Sequence, residues 1–134
     1  MTTIAVPDPD LLTRAVRTFM NADADPKYLA TPGTMVFVAT EADEITGWCW
    51  GNQLARPAGP PMLYLHQLEV LEPYRGRGIG RALVSTFMTT GRTAGATKMF
   101  LTTGAHNTPA RTLYESLGAG PATQGPTINY WFLL

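Results

Sequence analysis

The stretch that most constrains this chain is residues 62–90. Met62 to Leu71 reads as a strand. It runs straight into Glu72-Pro73-Tyr74 and then Arg75-Gly76-Arg77-Gly78-Ile79-Gly80. Beyond that loop the period changes: Ile79, Leu83, Val84, Phe87 and Met88 recur at helical spacing and form one apolar stripe. A strand, a glycine-rich turn and an amphipathic helix in immediate succession commit the segment to a sheet with a helix packed on it. Glycines let a backbone turn sharply and approach a ligand closely. The helix that follows offers unpaired N–H groups and the positive end of its dipole, a natural phosphate site. Arg75, Arg77 and Arg81 add positive charge within the same turn.

Two familiar phosphate loops do not fit. A Walker A loop needs Gly-Lys-Ser/Thr, which is absent. A Rossmann loop needs glycine where Arg81 stands, and an acidic residue about 20 positions on, where the chain has Lys98.

The remaining elements follow from the same kind of reading. Asp8-Pro9-Asp10 followed by Leu11, Leu12, Ala15, Val16 and Phe19 predicts a capped amphipathic helix. Residues 21–34 are rich in Asp, Pro and Gly, with a short helical segment at Lys27-Tyr28-Leu29. Met35–Thr40 and Glu44–Gln53 predict a hairpin about the turn Glu41-Ala42-Asp43. The proline-rich stretch Ala55–Pro61 is a loop. Gly91 or Gly95 ends the helix begun at Ile79, and Lys98–Thr103 is a further strand. Asn107-Thr108-Pro109 caps a helix carrying Ala110, Leu113, Tyr114 and Leu117, which stops at Gly118. Thr127–Leu134 reads as a last strand.

Length and composition set the bounds. A chain of 134 residues is expected to form one domain, 1–134. With 45% apolar and 15% charged residues it has an ordinary globular composition. The longest apolar runs are too short to span a bilayer, so no membrane association is expected. The start of the sequence has no leader pattern, and a cytoplasmic location is the expectation. The single cysteine, Cys49, excludes an internal disulfide and a multi-cysteine zinc site, and no metal is expected. Net charge is zero but unevenly spread. Residues 1–70 hold four basic side chains against eight acidic ones, and residues 71–134 six against two. Three arginines are too few for strong nucleic-acid binding, which neutralises many phosphates, but they suit one small anion. The acidic half suits a cationic partner.

The full string is more specific than its glycines. Leu68-Glu69-Val70, then Arg-x-x-Gly-x-Gly-x-Ala from Arg75 to Ala82, resembles motif A of the GNAT N-acetyltransferases. Asn107-x-x-Ala110-x-x-Leu113-Tyr114-Glu115-x-x-Gly118 resembles that family's motif B, in the family's order and spacing. The resemblance covers roughly residues 35–134. It implies an α/β (α+β) GNAT fold: a mixed, mostly antiparallel sheet flanked by helices and splayed between strands 62–71 and 98–103. It implies acetyl-CoA as cosubstrate and transfer of its acetyl group to a primary amine by direct attack in a ternary complex. Carried over by position, the backbones of Leu68 and Val70 would pair with the pantetheine arm. Arg75, Gly76, Arg77, Gly78, Ile79, Gly80 and Arg81 would wrap the pyrophosphate. Asn107, with Ala110 beside it in motif B, would hydrogen-bond the pantetheine. Tyr114 would stand by the sulfur and protonate the departing thiolate.

An alkyl amine with a pKa near 10.4 is only about one part in 2,500 neutral at pH 7, so deprotonation costs ~4–5 kcal/mol. A general base offsets part of that. His66 is the first candidate. Its strand resembles that of the arylalkylamine N-acetyltransferases, which carry histidines at the positions of Tyr64 and His66. Strict alternation puts 64, 66 and 68 on one face and 65, 67 and 69 on the other, so Glu69, the second candidate, shares the face of His66 only across a bulge. Tyr28-Leu29 and Phe37-Val38-Ala39 also resemble the aminoglycoside 3-N-acetyltransferase branch, although that branch is acidic at the position of Gln67 and near its C-terminus. Trp48 and Trp50 share one strand face and suit a core or an acceptor-pocket wall; Cys49, on the other face, suits a small buried residue. The acceptor is expected to be a small cationic amine, with Asp23, Asp25, Glu41, Asp43 and Glu44 bordering its groove. Alternatives are an acyl-CoA-binding sensor or partner module without catalysis, and an aminoglycoside as the acceptor. A homodimer is compatible with either.

Overall fold

The computed structural model describes residues 1–134 as two compact units, Met1–Thr102 and Thr103–Leu134. The first unit carries a five-stranded sheet in the order β1-β2-β3-β4-β5. The strands are β1 (Thr3–Ala5), β2 (Thr34–Glu41), β3 (Glu44–Leu54), β4 (Met62–Val70) and β5 (Met99–Phe100). All neighbours are antiparallel except β4 and β5, which are parallel. Two helices, α1 (Pro9–Met20) and α2 (Ile79–Thr93), pack on opposite faces, and Tyr28–Ala30 forms a single 3-10 turn. The mixed, mostly antiparallel sheet with flanking helices is the one expected from the sequence.

α1 forms where the sequence placed it. The Asp8 carboxylate accepts a 2.8 Å hydrogen bond from Leu11 N, satisfying one of the helix's free amides. Such a cap contributes about 1 kcal/mol. The apolar side of α1 (Leu12, Ala15, Val16) buries against Val36, Val38, Ile45 and Trp48 of the sheet, and Phe19 stacks on Trp48 at 5.1 Å. On the other face Phe87 of α2 meets Phe37 edge-on at 6.3 Å, beside fully buried Leu83, Val84 and Cys49. Gly91 is not a stop signal. It lies inside α2, where an added Cβ would sit 2.3 Å from a Leu63 methyl, so its role is close packing on β4. The chain leaves the helix at Gly95, whose φ of +103° is the left-handed conformation typical of a helix end.

Two strand expectations need correction. The strand read over 98–103 reduces to Met99–Phe100, and β4 pairs with it only at Leu63↔Met99 and Tyr64↔Phe100. In the second unit, α3 (Thr108–Ser116) forms as expected, but Thr127–Leu134 is not a strand. A β-branched and aromatic run is only half of a strand; the ladder partner is the other half. Here the run stays irregular, with Trp131 92% and Phe132 84% exposed. The three-residue β1, too short to carry a readable alternation, completes the edge beside β2.

Candidate functional site

The site is organised by a bulge in β4. Trp50 pairs with Gln67, but the next residue of β3, Gly51, pairs with Leu65, so His66 is the extra residue of the ladder. A bulge shifts the alternation by one beyond it. Residues 63 and 65 stay on the α2 face, but Gln67 and Glu69 now oppose Trp50 and Trp48 on the α1 face, while Leu68 and Val70 oppose Cys49 and Gly47 on the other. This corrects the simple alternation: residue 68 leaves the face of His66, and residue 69 joins it. Gly51 is what admits the distortion, because a Cβ there would lie 2.0 Å from the Tyr64 carbonyl oxygen.

His66 is exposed but held. Its ring stacks on Trp50 at 4.7 Å and lies 4.2 Å from the Tyr64 ring. Trp50 is fixed in turn by its indole N–H, which donates a 2.8 Å hydrogen bond to Gln67 Oε1. Gln67, noted in the sequence only for not being acidic, is thus a positioning residue. Partial loss of water lowers the His66 pKa from its ordinary 6.5, which favours the neutral imidazole at pH 7.

Beside this cluster is a pocket of about 240 Å³, lined by Leu12, Val16 and Met20 of α1, the loop Ala22–Asp25, Tyr28, and Val36, Trp48 and Trp50 of the sheet. Of the five acidic residues expected to border an acceptor groove, only Asp23 and Asp25 line it. Asp23 is also paired with Arg17 at 2.9 Å. Glu41, Asp43 and Glu44 sit instead at the β2–β3 turn. There Glu41 forms an ion pair with Arg77 at 2.9 Å, and the Asp43 carbonyl accepts from Arg14. Cys49 is fully buried, its thiol near the Leu83 carbonyl, and burial pushes its pKa up to about 12, so it is no nucleophile.

The loop between β4 and α2 has the form that phosphate binding requires. Gly76 and Gly78 have φ of +78° and +85°, and a Cβ at either would meet no atom of the protein within 4 Å. The cradle is therefore open on the side a ligand would use. Gly80 has no such freedom; it lies in the first turn of α2. That turn holds no acidic residue, and Gly78 gives it no side-chain cap, so its amides keep their capacity for an anion. Arg75 Nε donates to the Val70 carbonyl at 2.8 Å, clamping the loop onto the end of β4, and Arg77 lies over the Tyr74 ring. Ile79 is buried under the loop, and Arg81 is exposed. Because β5 leaves β4 after Tyr64, the β5-side edge of β4 beyond that point carries no strand. The expected splay is this divergence, and Leu68 and Val70 lie along it.

In the second unit Asn107 caps α3, its side-chain oxygen accepting from Ala110 N at 3.2 Å. That commits the oxygen to the helix. Tyr114 is half-buried on α3. No helix of the chain is long and apolar enough to cross a membrane.

A bulged, splayed mixed sheet with a glycine–arginine loop at the head of the next helix is an acyl-transferase architecture. Residues 8–119 match the acetyltransferase (GNAT) family, and the chain belongs to it. The uncharacterized N-acetyltransferase YycN of Bacillus subtilis (strain 168) is 32% identical over 113 residues, 83% of this chain and 69% of that protein. N-acetyltransferase 8 of Rattus norvegicus is 36% identical over 98 residues, 72% of this chain but only 44% of that protein. Among solved structures, AAC(6')-Iy in complex with a bisubstrate analog superposes with a TM-score of 0.83 at 17% identity, covering 100% of this chain and 99% of that one. The aminoglycoside acetyltransferase meta-AAC0020 from an uncultured soil metagenomic sample gives 0.81 at 19% identity, covering 99% and 96%. The fold is shared with both.

Proposed function

We propose that this acetyltransferase moves the acetyl group of acetyl-CoA to a primary amine of a small cationic acceptor, with His66 as the base. One observation carries the reading: the β4 bulge holds a neutral-leaning imidazole against Trp50, which is itself a wall of the pocket that Asp23 and Asp25 border.

Acetyl-CoA supplies the activated acetyl group as a thioester. The chain's residues fit that cosubstrate: the open glycine cradle and the α2 N-terminus suit a pyrophosphate, and the β4 edge at Leu68 and Val70 suits an extended amide-bearing arm. Arg75, Arg77 and Arg81 supply the counter-charge. Direct attack on the thioester in a ternary complex requires no covalent enzyme intermediate, in keeping with the inert Cys49. His66 takes the proton from the amine, and Glu69, on the same face, is the alternative acceptor of that proton. Tyr114, through its phenol, returns a proton to the leaving thiolate.

The test is thiol release from acetyl-CoA over a panel of cationic, neutral and anionic amines, aminoglycosides included. Faster turnover of cationic than anionic amines is expected. Faster turnover of an anionic amine such as glutamate overturns the cationic assignment. Acetyl-CoA binding without turnover of any amine leaves the non-catalytic module.

A further inference from the structure

A chain of ring contacts crosses three strands at the β4 bulge. Trp50 of β3 stacks on His66 at 4.7 Å, His66 lies 4.2 Å from Tyr64 of β4, and Tyr64 lies 5.4 Å from Phe100 of β5. The Trp50 end is tied by its hydrogen bond to Gln67. The Phe100 end stands on β5, which meets β4 only at Leu63 and Tyr64. Phe100 is the ladder partner of Tyr64, so the register sets both side chains on one face of the sheet. It is also 40% exposed, so burial in the core accounts for only part of its presence. His66 itself is exposed, and as the extra residue of the ladder it has no cross-strand partner. No hydrogen bond within the chain holds its imidazole, so the ring contacts are what orient it.

Resting on the reading of His66 as the base, we infer that Tyr64 and Phe100 are positioning residues for it: Phe100 backs the Tyr64 ring, and Tyr64 keeps the imidazole against Trp50, oriented towards the amine. A general base works only within hydrogen-bond reach of the proton it takes, and small misplacements of a reacting group are expensive. An exposed imidazole without support exchanges among its rotamers. Aromatic pairs at these separations attract beyond the area they bury, so two ring neighbours bias the imidazole towards one orientation. The role asks only for rings. The Tyr64 hydroxyl is not part of it, which separates positioning from a proton relay through the phenol. It also gives the two-residue β5 a purpose at the site, since its parallel pairing is what places Phe100 beside Tyr64.

The test joins proton NMR of the imidazole to kinetics. The chain has two histidines, His66 and His106, so the His66 ring protons are assigned by their loss in His66→Ala. At one fixed alkaline pH the stacked Trp50 ring should hold those signals upfield. Phe100→Ala and Tyr64→Leu should each move them towards the position of a free imidazole and lower kcat by about twofold to tenfold, measured by thiol release with the best amine of the panel. Phe100→Tyr and Tyr64→Phe keep the rings and should keep both the signals and the rate. Phe100 is partly exposed, so Phe100→Ala carries the test even if Tyr64→Leu folds poorly. Unmoved His66 signals in Phe100→Ala, or moved signals with native kcat, overturn the positioning role and leave the acetyltransferase reading in place. A Tyr64→Phe variant as slow as Tyr64→Leu also overturns it, because the hydroxyl would then be the active part. A native protein that turns over no amine overturns the transferase reading, while the NMR signals still report whether the rings hold His66.

Discussion

His66 and Glu69 face the same side of β4, although an odd number of positions separates them. In a regular strand they would point apart. The bulge at His66 places Glu69 opposite Trp48, on the face where His66 stacks on Trp50. Two groups able to accept a proton therefore border one surface, and only one is held by aromatic stacking.

That difference predicts how the two residues divide the chemistry. His66→Ala should lower kcat/KM by about 10²-fold or more near neutral pH. Its affinity for acetyl-CoA should be nearly unchanged, because His66 lies outside residues 75–81, where the anion contacts are proposed. Glu69→Gln should cost less. Steady-state kinetics on both variants decides it: full activity in His66→Ala with none in Glu69→Gln transfers the role to Glu69.

The pH profile follows from the direction of the His66 shift. Loss of water disfavours the charged imidazolium and lowers the pKa below 6.5. The base form thus dominates at pH 7, and activity is lost as pH falls through the lowered value. Wild-type kcat/KM should rise through an ionisation below 6.5 and continue to climb as more of the amine becomes neutral. In His66→Ala the acidic limb should vanish, and high pH should partly restore the rate. An unchanged acidic limb in the variant would assign that ionisation to another group.

Much of this site is legible in the sequence because its signals are local. The period change at Gly78, the Asp8 and Asn107 caps and the order of the two motifs each depend on a few neighbouring residues, and each appears in the structure. The β4 bulge is different. Nothing in Tyr64-Leu65-His66-Gln67 announces it, because it arises from the register against Trp50 and Gly51 on another strand. The groove's acidic border was overestimated for the same reason: Glu41 lies far along the chain from Arg77, and only the fold pairs them. The run Thr127–Leu134 has strand composition, but pairing is a property of two segments, and composition describes one.

The glycine cradle gives a third prediction. At φ of +85°, a side chain at position 78 is strained, yet its Cβ would meet nothing in the protein. Gly78→Ala should therefore cost about 1–2 kcal/mol of stability, a left-handed-backbone penalty with no internal clash. The cofactor effect should be larger. A ligand at 100 times its Kd stabilises the folded protein it binds by about 2.7 kcal/mol, the shift expected of acetyl-CoA here. The variant should lose most of that shift, because the new methyl would project into the open space proposed for the pyrophosphate. Thermal unfolding with and without acetyl-CoA separates the two effects, and an equal shift in both proteins would remove Gly78 from the binding surface.

Gly91 sets two effects of opposite sign against each other. Alanine is preferred to glycine inside a helix by about 1 kcal/mol, so propensity alone predicts that Gly91→Ala stabilises. Packing predicts the reverse. The added Cβ would lie 2.3 to 2.8 Å from Leu63 Cδ1, Cδ2 and Cγ, so the whole isobutyl group must move, and Leu63 is 3% exposed. Overpacking of this kind costs about 1–3 kcal/mol, which outweighs or at least cancels the propensity gain. Denaturant unfolding of Gly91→Ala should therefore show no gain and up to about 2 kcal/mol of loss. The Leu63→Ala background decides the cause. Truncation removes the atoms that clash, so Gly91→Ala should become neutral or stabilising there, a coupling of the size that contacting residues show. A stabilising effect in the native background would mean that α2 shifts away from β4 at little cost, and that Gly91 is not needed for the close approach of the two elements.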